Sequence, residues 1–141
     1  MAIRVRVKIK SITSGMDVET TALVNTGYEV EEPEVLLPRR LAEYLGIPLK
    51  TPRARMLIYE TPMGLYNLLY IDSEVEIHLV DICVVVKKVN VTVAEHEREV
   101  LLSDKLSGEL GIQLLDVAKG IWRHEKDKPD ERRRTVKPEY W

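Results

Sequence analysis

The sequence predicts one all-β domain with two short helices, and three features of the chain support this fold class. Apolar side chains alternate with Arg and Lys over residues 3–9, a period of two that turns one strand face to a core and the other to water. The chain has no phenylalanine, so its core must consist mainly of Val, Leu and Ile, whose β-branched members favour strands. A segment of strand, short helix and glycine occurs twice, which indicates two related halves of one core.

The first half of the chain is predicted to hold a hairpin and a short helix. Residues 13–17 supply turn chemistry, and residues 19–24 then form a second strand that leads directly into Asn25. A helix follows over residues 38–45, because proline occupies its first turn, two leucines lie one turn apart, and Gly46 comes just past its end.

The middle of the chain predicts a projecting hairpin followed by buried strands. Apolar runs at residues 56–59 and 65–70 flank a turn-forming segment at residues 60–64. Alternation resumes over residues 75–79, and the β-branched stretch at residues 82–93 predicts at least one buried strand.

A second helix is predicted after Ser103, which suits the N-cap position. Asp104 falls in the first turn, Leu106 and Leu110 share one face, and Gly111 ends the helix. Asp104 is a candidate replacement acid, but a carboxylate favoured by the helix dipole is the more ordinary interpretation.

The strongest single pattern is an internal repeat. Residues 35–49 read VLLPRRLAEYLGIPL, residues 100–114 read VLLSDKLSGELGIQL, and eight of the fifteen aligned positions are identical. The match includes the strand before each helix and the glycine turn after it, so we expect two halves related by a pseudo-two-fold axis.

Composition limits the classes of function. A formal net charge of −2 gives no strong field for polyanions, so nucleic-acid binding is not expected from charge. We expect a cytoplasmic protein without cofactor or metal, because no stretch is apolar enough to cross a membrane and the histidines lack ligand spacing. The lone cysteine, Cys83, lies in an apolar run and is expected to be a buried thiol.

The chain is expected to divide into a domain at residues 1–122 and a charged tail at residues 123–141. The tail is rich in both charge signs and contains Pro129, so it cannot bury enough surface to fold alone. Its three consecutive arginines at residues 132–134 leave nucleic-acid contact open as a minor alternative, although acidic residues stand beside them.

The motifs resemble those of one known family. Residues 22–27 read ALVNTG, residues 37–47 read LPRRLAEYLGI, and residues 100–112 read VLLSDKLSGELGI. In this order they resemble the retropepsin-like aspartic peptidases, in which a strand delivers Asp-Thr/Ser-Gly, a Leu-Pro helix follows, and a second hydrophobic motif precedes another helix. The resemblance covers about residues 3–122 and implies a closed or partly open β-barrel that works as a dimer, with the hairpin as a substrate-covering flap.

Three residues depart from the family pattern. Asn25 stands at the position of the catalytic aspartate, Tyr28 replaces a small residue, and Ser103 replaces a glycine. The family activates water between two carboxylates that share one proton. An amide keeps the shape of a carboxylate but does not exchange protons near neutral pH, and losing acid–base help slows a reaction by roughly 10²- to 10⁴-fold. We therefore expect no peptidase activity by the family mechanism.

The resemblance also supplies the candidate site residues. Those at the catalytic motif are Asn25, Thr26 and Gly27, and Thr26 would link the active-site loops of two subunits. Those implied to contact a peptide are Tyr28, Glu29, Tyr59, Thr61, Met63 and Gly64.

The sequence thus predicts a non-catalytic, homodimeric domain that binds an extended peptide or protein segment or serves in assembly. The alternative is an aspartic endopeptidase in which Asn25 was engineered from aspartate or another acid has taken over catalysis.

Overall fold

The computed structural model describes residues 1–141 and is all-β with two short helices, as the sequence predicts. The elements in chain order are β1 (Arg4–Ser11), β2 (Asp17–Val24), β3 (Glu34–Pro38), α1 (Arg39–Tyr44), β4 (Ala54–Thr61), β5 (Gly64–Leu79), β6 (Val84–Ala94), β7 (Val100–Leu102), α2 (Asp104–Glu109), β8 (Ile112–Asp116), β9 (Ile121–His124) and β10 (Arg133–Arg134). Each helix has six residues, and neither is long or apolar enough to cross a membrane.

Six strands close into a barrel. The main sheet runs in the order β1-β2-β7-β3-β6-β5-β4, and β1 also pairs with β5. Strand β4 remains outside the closed ring as the outer arm of the β4–β5 hairpin. Closure removes the free edges of the six barrel strands and leaves β4 as an exposed edge.

The core follows the alternation of the first strand. Ile3, Val5, Val7 and Ile9 are each at most 2% exposed, so the predicted inward face of β1 is confirmed. The leucines predicted to face inward from the two helices are fully buried, and these are Leu41, Leu45, Leu106 and Leu110. The helices therefore cover the barrel with one apolar face each.

The two helices begin differently and end alike. Ser103 caps α2, since its side chain accepts a hydrogen bond from the N–H of Leu106. No side chain caps α1, which follows Pro38. Gly46 and Gly111 come after the two helices with φ of +68° and +79°, a left-handed conformation that favours glycine.

Strands β3 and β7 lie side by side near the middle of the sheet. They are antiparallel, with Leu36 opposite Leu101 and Val35 opposite Leu102. Each also has a parallel neighbour, because β7 pairs with β2 and β3 pairs with β6. Strand β7 thereby separates β2 from β3, and β3 separates β7 from β6.

The end of the chain packs along the barrel. Strand β10 pairs with β9, and Arg133 forms an ion pair with Asp127 at 2.8 Å. Trp141 donates its indole N–H to Thr20 Oγ1 at 3.1 Å, and its ring centroid lies 6.0 Å from that of Tyr44. The charged segment is thus held by specific contacts, with its terminal aromatic residue against the body of the fold.

The expected burial of Cys83 is wrong. The cysteine is exposed and has a φ of +58°. It lies in the turn between β5 and β6, where its N–H donates to the carbonyl of Leu79 at 3.0 Å. The apolar run that contains Cys83 therefore spans a turn as well as a strand, and the turn directs the thiol outward.

Two buried serines in α2 and at its start provide a matched test of the fold. Ser103 Oγ accepts from the N–H groups of Leu106 and Glu34, both at 3.2 Å, whereas Ser107 Oγ is buried without a partner. We expect Ser103→Ala to lower the free energy of unfolding by about 2 kcal/mol, because it removes a helix cap and leaves a buried donor unpaired.

Ser107→Ala is the control for that substitution. It should leave the free energy of unfolding unchanged or slightly raised, because it removes an unpaired hydroxyl and favours the helix. Urea denaturation followed by circular dichroism measures both variants. Equal destabilisation by the two substitutions would contradict the assigned role of Ser103.

Candidate functional site

The loop after β2 presents Asn25 at the end of a barrel strand. The backbone N–H of Asn25 donates to the carbonyl of Leu102 in β7 at 3.2 Å. Its side-chain Oδ1 accepts from the N–H of Gly27 at 3.1 Å, and its carbonyl accepts from the N–H of Tyr28 at 3.1 Å. These bonds form a tight turn in which the amide oxygen holds the loop.

The same loop is tied to the start of α2. Asp104 donates its N–H to the carbonyl of Tyr28 at 2.8 Å, and its Oδ1 accepts from the N–H of Val30 at 3.2 Å. The Asp104 carboxylate therefore holds the backbone at Val30, which agrees with its interpretation as a carboxylate at the start of a helix. It does not line the cleft that contains Asn25.

The β4–β5 hairpin carries a two-residue tip at Pro62 and Met63. Strands β4 and β5 are paired from Ala54 to Thr61. Thr61 Oγ1 donates to the carbonyl of Gly64 at 2.9 Å and accepts from the N–H of Met63 at 3.2 Å. Met63 is 84% exposed, so the tip projects beyond the body of the fold.

A cleft of about 540 Å³ lies between the Asn25 loop and the hairpin. The loop lines it with Asn25, Gly27, Tyr28 and Glu29; the hairpin with Tyr59, Glu60, Thr61, Pro62 and Leu68; and the barrel with Leu36 and Leu101. Six of the predicted site residues thus share one cleft. The other three are exposed and outside its lining, and they are Thr26, Met63 and Gly64.

A buried carboxylate that no sequence pattern indicates lies beside this cleft. Glu34 is 5% exposed, and its Oε2 accepts hydrogen bonds from the hydroxyls of Tyr28 and Tyr59. The Tyr28 hydroxyl also lies 2.9 Å from Thr92 Oγ1. In the sequence Glu34 is the fourth glutamate of an acidic segment, a pattern typical of a solvated loop.

Burial and charge shift the pKa values in this cluster. Burial raises the pKa of Glu34, and the hydrogen bonds from Tyr28 and Tyr59 oppose that rise. Burial, followed by the nearby Glu34 charge, raises the pKa of both tyrosines. Burial also raises the pKa of Tyr70 to about 12, with Asp72 contributing. The Tyr28 and Tyr59 phenols therefore stay protonated and donate hydrogen bonds to Glu34.

The cleft offers hydrogen-bonding groups, apolar surface and the two carboxylates of Glu29 and Glu60. Asn25 offers an amide, which does not exchange protons near neutral pH. No group of three or more His, Cys, Asp or Glu side chains is close enough to hold a metal ion. Fold and site together define a closed β-barrel with a hairpin-covered cleft. No protein-family model and no curated protein matches the chain.

Glu34 should make stability depend on pH. Its pKa is raised above the ordinary value of 4.5, so above that pH the native state holds its proton more tightly than the unfolded chain. The contribution of Glu34 to the free energy of unfolding is therefore lost as the pH rises through its raised pKa. We expect the stability of Glu34→Gln relative to the unaltered protein to increase as the pH rises above 4.5, as measured by urea denaturation.

Glu109→Gln is the matched control, because it removes one exposed carboxylate from α2 and makes the same change in net charge. Its profile reports the effect of net charge alone. If Glu34→Gln and Glu109→Gln give the same profile, Glu34 is not the buried titrating group.

Proposed function

We propose that this chain is a non-catalytic retropepsin-like domain that works as a homodimer and binds an extended peptide or protein segment in the cleft beneath the β4–β5 hairpin. One observation carries the proposal: an amide, Asn25, stands in a hairpin-covered cleft at the position where the resemblance implies a catalytic carboxylate. An amide at this position cannot serve as the acid or the base that the family mechanism needs there.

The order of elements supports the likeness to retropepsins. The strand that leads into Asn25-Thr26-Gly27 is followed by the Leu-Pro helix, the hairpin and the second strand with its helix. Each of these follows the family order on which the resemblance rests. The hairpin and the Asn25 loop line one cleft, as a flap and an active-site loop would.

The register between β3 and β7 supports the internal pseudo-two-fold. In the aligned repeats Leu36 is equivalent to Leu101, and these two residues lie directly opposite each other. Val35 lies opposite Leu102, the equivalent of Leu37. A two-fold axis through the Leu36–Leu101 pair would exchange the two halves, and the parallel β2–β7 and β3–β6 pairs are consistent with such an axis.

Exposed residues at the loop support the homodimer. One chain supplies one Asn25 loop, whereas the family site needs two. Thr26 is exposed and its hydroxyl makes no hydrogen bond within the chain, which leaves it available for the cross-subunit role that the resemblance implies. A two-fold dimer would bring two copies of the same loop together.

The exposed edge of β4 supports an extended ligand. Strand β4 ends the sheet, so one row of its backbone donors and acceptors has no strand partner. An extended segment adds to such an edge through main-chain hydrogen bonds and directs alternate side chains into pockets.

The competing candidate is an aspartic endopeptidase, in which Asn25 replaces a natural aspartate or another acid acts. Glu29 and Glu60 line the same cleft, so two further carboxylates are available there. A comparison of peptidase activity with and without a carboxylate at position 25 separates the two candidates.

We expect the protein to cleave nothing and Asn25→Asp to cleave peptides. The measurement is product release from a mixed peptide library between about pH 3 and pH 7, analysed by mass spectrometry. The aspartate variant restores a pair of proton-sharing carboxylates in a dimer, so its rate should exceed that of the unaltered protein by about 100-fold or more.

Asn67→Asp makes the same chemical change at an exposed hairpin position outside the cleft and should remain inactive. Cleavage by the unaltered protein would overturn the non-catalytic assignment and favour Glu29 or Glu60 as the acid. If neither protein cleaves, the likeness of the cleft to a peptidase site is contradicted.

The dimer has its own test at Thr26. We expect twice the mass of one chain in sedimentation velocity and the mass of one chain for Thr26→Arg, because a long cation would oppose its own copy across the two-fold axis. Glu125→Arg, at an exposed turn after β9, should remain dimeric. A monomeric unaltered protein would rule out the homodimer.

A further inference from the structure

Glu34 is a buried carboxylate with no cation from its own chain. Both of its hydrogen bonds end on Oε2, which leaves Oε1 without a donor. No Lys, Arg or His side chain forms an ion pair with it. Buried carboxylates are rare unless a partner compensates their charge.

Glu74 shows how this fold treats another buried carboxylate. Glu74 has no exposed surface, and its oxygens accept from Ser11 and Thr13 and form an ion pair with Arg53 at 2.9 Å. Both oxygens of Glu74 are therefore compensated, whereas Glu34 has two phenols on one oxygen. The contrast indicates that the partner of Glu34 Oε1 comes from outside the chain.

The free oxygen of Glu34 has access to a cavity. The side-chain atoms that are both fully buried and without a hydrogen-bond partner are Ser107 Oγ and Trp122 Nε1. Glu34 Oε1 also has no partner but is not among them, so it retains some accessible surface. Glu34 lines a cavity of about 380 Å³ next to the Asn25 cleft. Tyr59 lines both spaces, so the cavity and the cleft adjoin at this side chain.

The lining of the cavity favours a positive group. Its charged residues are three carboxylates, from Glu31, Glu32 and Glu34, and one guanidinium, from Arg55. Tyr59 and Tyr70 supply aromatic walls, and the Arg55 guanidinium already stacks on the Tyr70 ring with its Cζ 5.0 Å from the centroid. Carboxylate with aromatic faces is a combination that binds ammonium and guanidinium groups.

We propose that this cavity receives the Lys or Arg side chain of the bound peptide, with the cationic group hydrogen-bonded to Glu34 Oε1 and flanked by Tyr59 and Tyr70. The proposal deepens the proposed function and rests on peptide binding in the cleft. It assigns the ligand a basic residue at one position, beside the segment that lies under the hairpin.

The test begins with a library of random octapeptides selected on the immobilised full chain. We expect enrichment of Lys or Arg at one position. An enriched peptide is then compared with its norleucine analogue, which keeps the four side-chain carbons of lysine and lacks the charged nitrogen. Glu34→Gln should weaken binding of the basic peptide roughly 10- to 100-fold, the loss expected for a charge-assisted hydrogen bond to a buried carboxylate.

Binding of the norleucine peptide should be the same for Glu34→Gln as for the unaltered protein. Glu109→Gln, which makes the same charge change outside the lining of the cavity, should leave both affinities unchanged. If peptides bind without a basic preference, or the preference survives Glu34→Gln, the cavity proposal is wrong and peptide binding stands.

Arg55→Ala gives a second variant whose effect has the opposite sign. Removing the internal guanidinium frees the Tyr70 face and removes a repulsive charge, so the basic peptide should bind a few times more tightly. Loss of folding cannot produce a gain in affinity. An unchanged or weakened affinity for the basic peptide would count against the cavity.

If the library yields no peptide, the proposed function fails and the cavity is tested by itself. Millimolar n-butylguanidinium chloride should then shift the amide NMR signals of Glu34 and Tyr59 in the unaltered protein and not in Glu34→Gln. Absence of these shifts overturns the cavity as a cation site.

Discussion

The three-residue strand β7, with Ser103 behind it, is the constraint on which the site depends. The Leu102 carbonyl accepts a hydrogen bond from the N–H of Asn25 at 3.2 Å and so positions the Asn25 loop. Ser103 bonds Glu34 in both directions, through its N–H to the Glu34 carbonyl at 3.1 Å and through Oγ from the Glu34 N–H at 3.2 Å. The same Oγ caps α2. Loop, buried carboxylate and helix are therefore positioned by one short segment, and a shift of β7 would move all three.

Glu34 is subject to two opposing influences. Burial favours its neutral form, and the two tyrosine hydroxyls favour its ionised form. Those hydroxyls come from different elements, since Tyr28 belongs to the Asn25 loop and Tyr59 to the β4–β5 hairpin. An ionised carboxylate accepts such bonds more strongly than a neutral one. The two hydroxyls therefore offset part of the cost of burying the charge on Glu34, and a cation at the free oxygen would favour ionisation further.

Local patterns predicted the elements well, and contacts between distant segments account for what was missed. The alternation at residues 3–9, the cap at Ser103 and the hairpin near Met63 each follow from a few adjacent residues. Closure of the barrel by β1 and β5 joins segments more than 60 residues apart, which no local period encodes. The predicted burial of Cys83 is wrong because the position of its turn depends on the pairing of β5 with β6. The environment of Glu34 depends on Tyr59, which donates to its carboxylate, and on Thr92, which contacts Tyr28, and both lie far along the chain.

The amide of Asn25 suits a cleft that already contains two carboxylates. Glu29 and Glu60 line the cleft, and Glu34 lies buried behind Tyr28. An aspartate at position 25 would add a further negative charge to the cleft, and repulsion from the other carboxylates would raise the free energy of the ionised aspartate. The amide keeps the turn-forming bond to Gly27 without that charge. A peptidase must direct its binding energy toward the transition state, whereas a binding domain can use all of it on the ground state. In the proposed binder the exchange of one carboxylate oxygen for an amide nitrogen therefore removes proton transfer, retains the loop geometry, and leaves the interactions of the cleft available for holding the ligand.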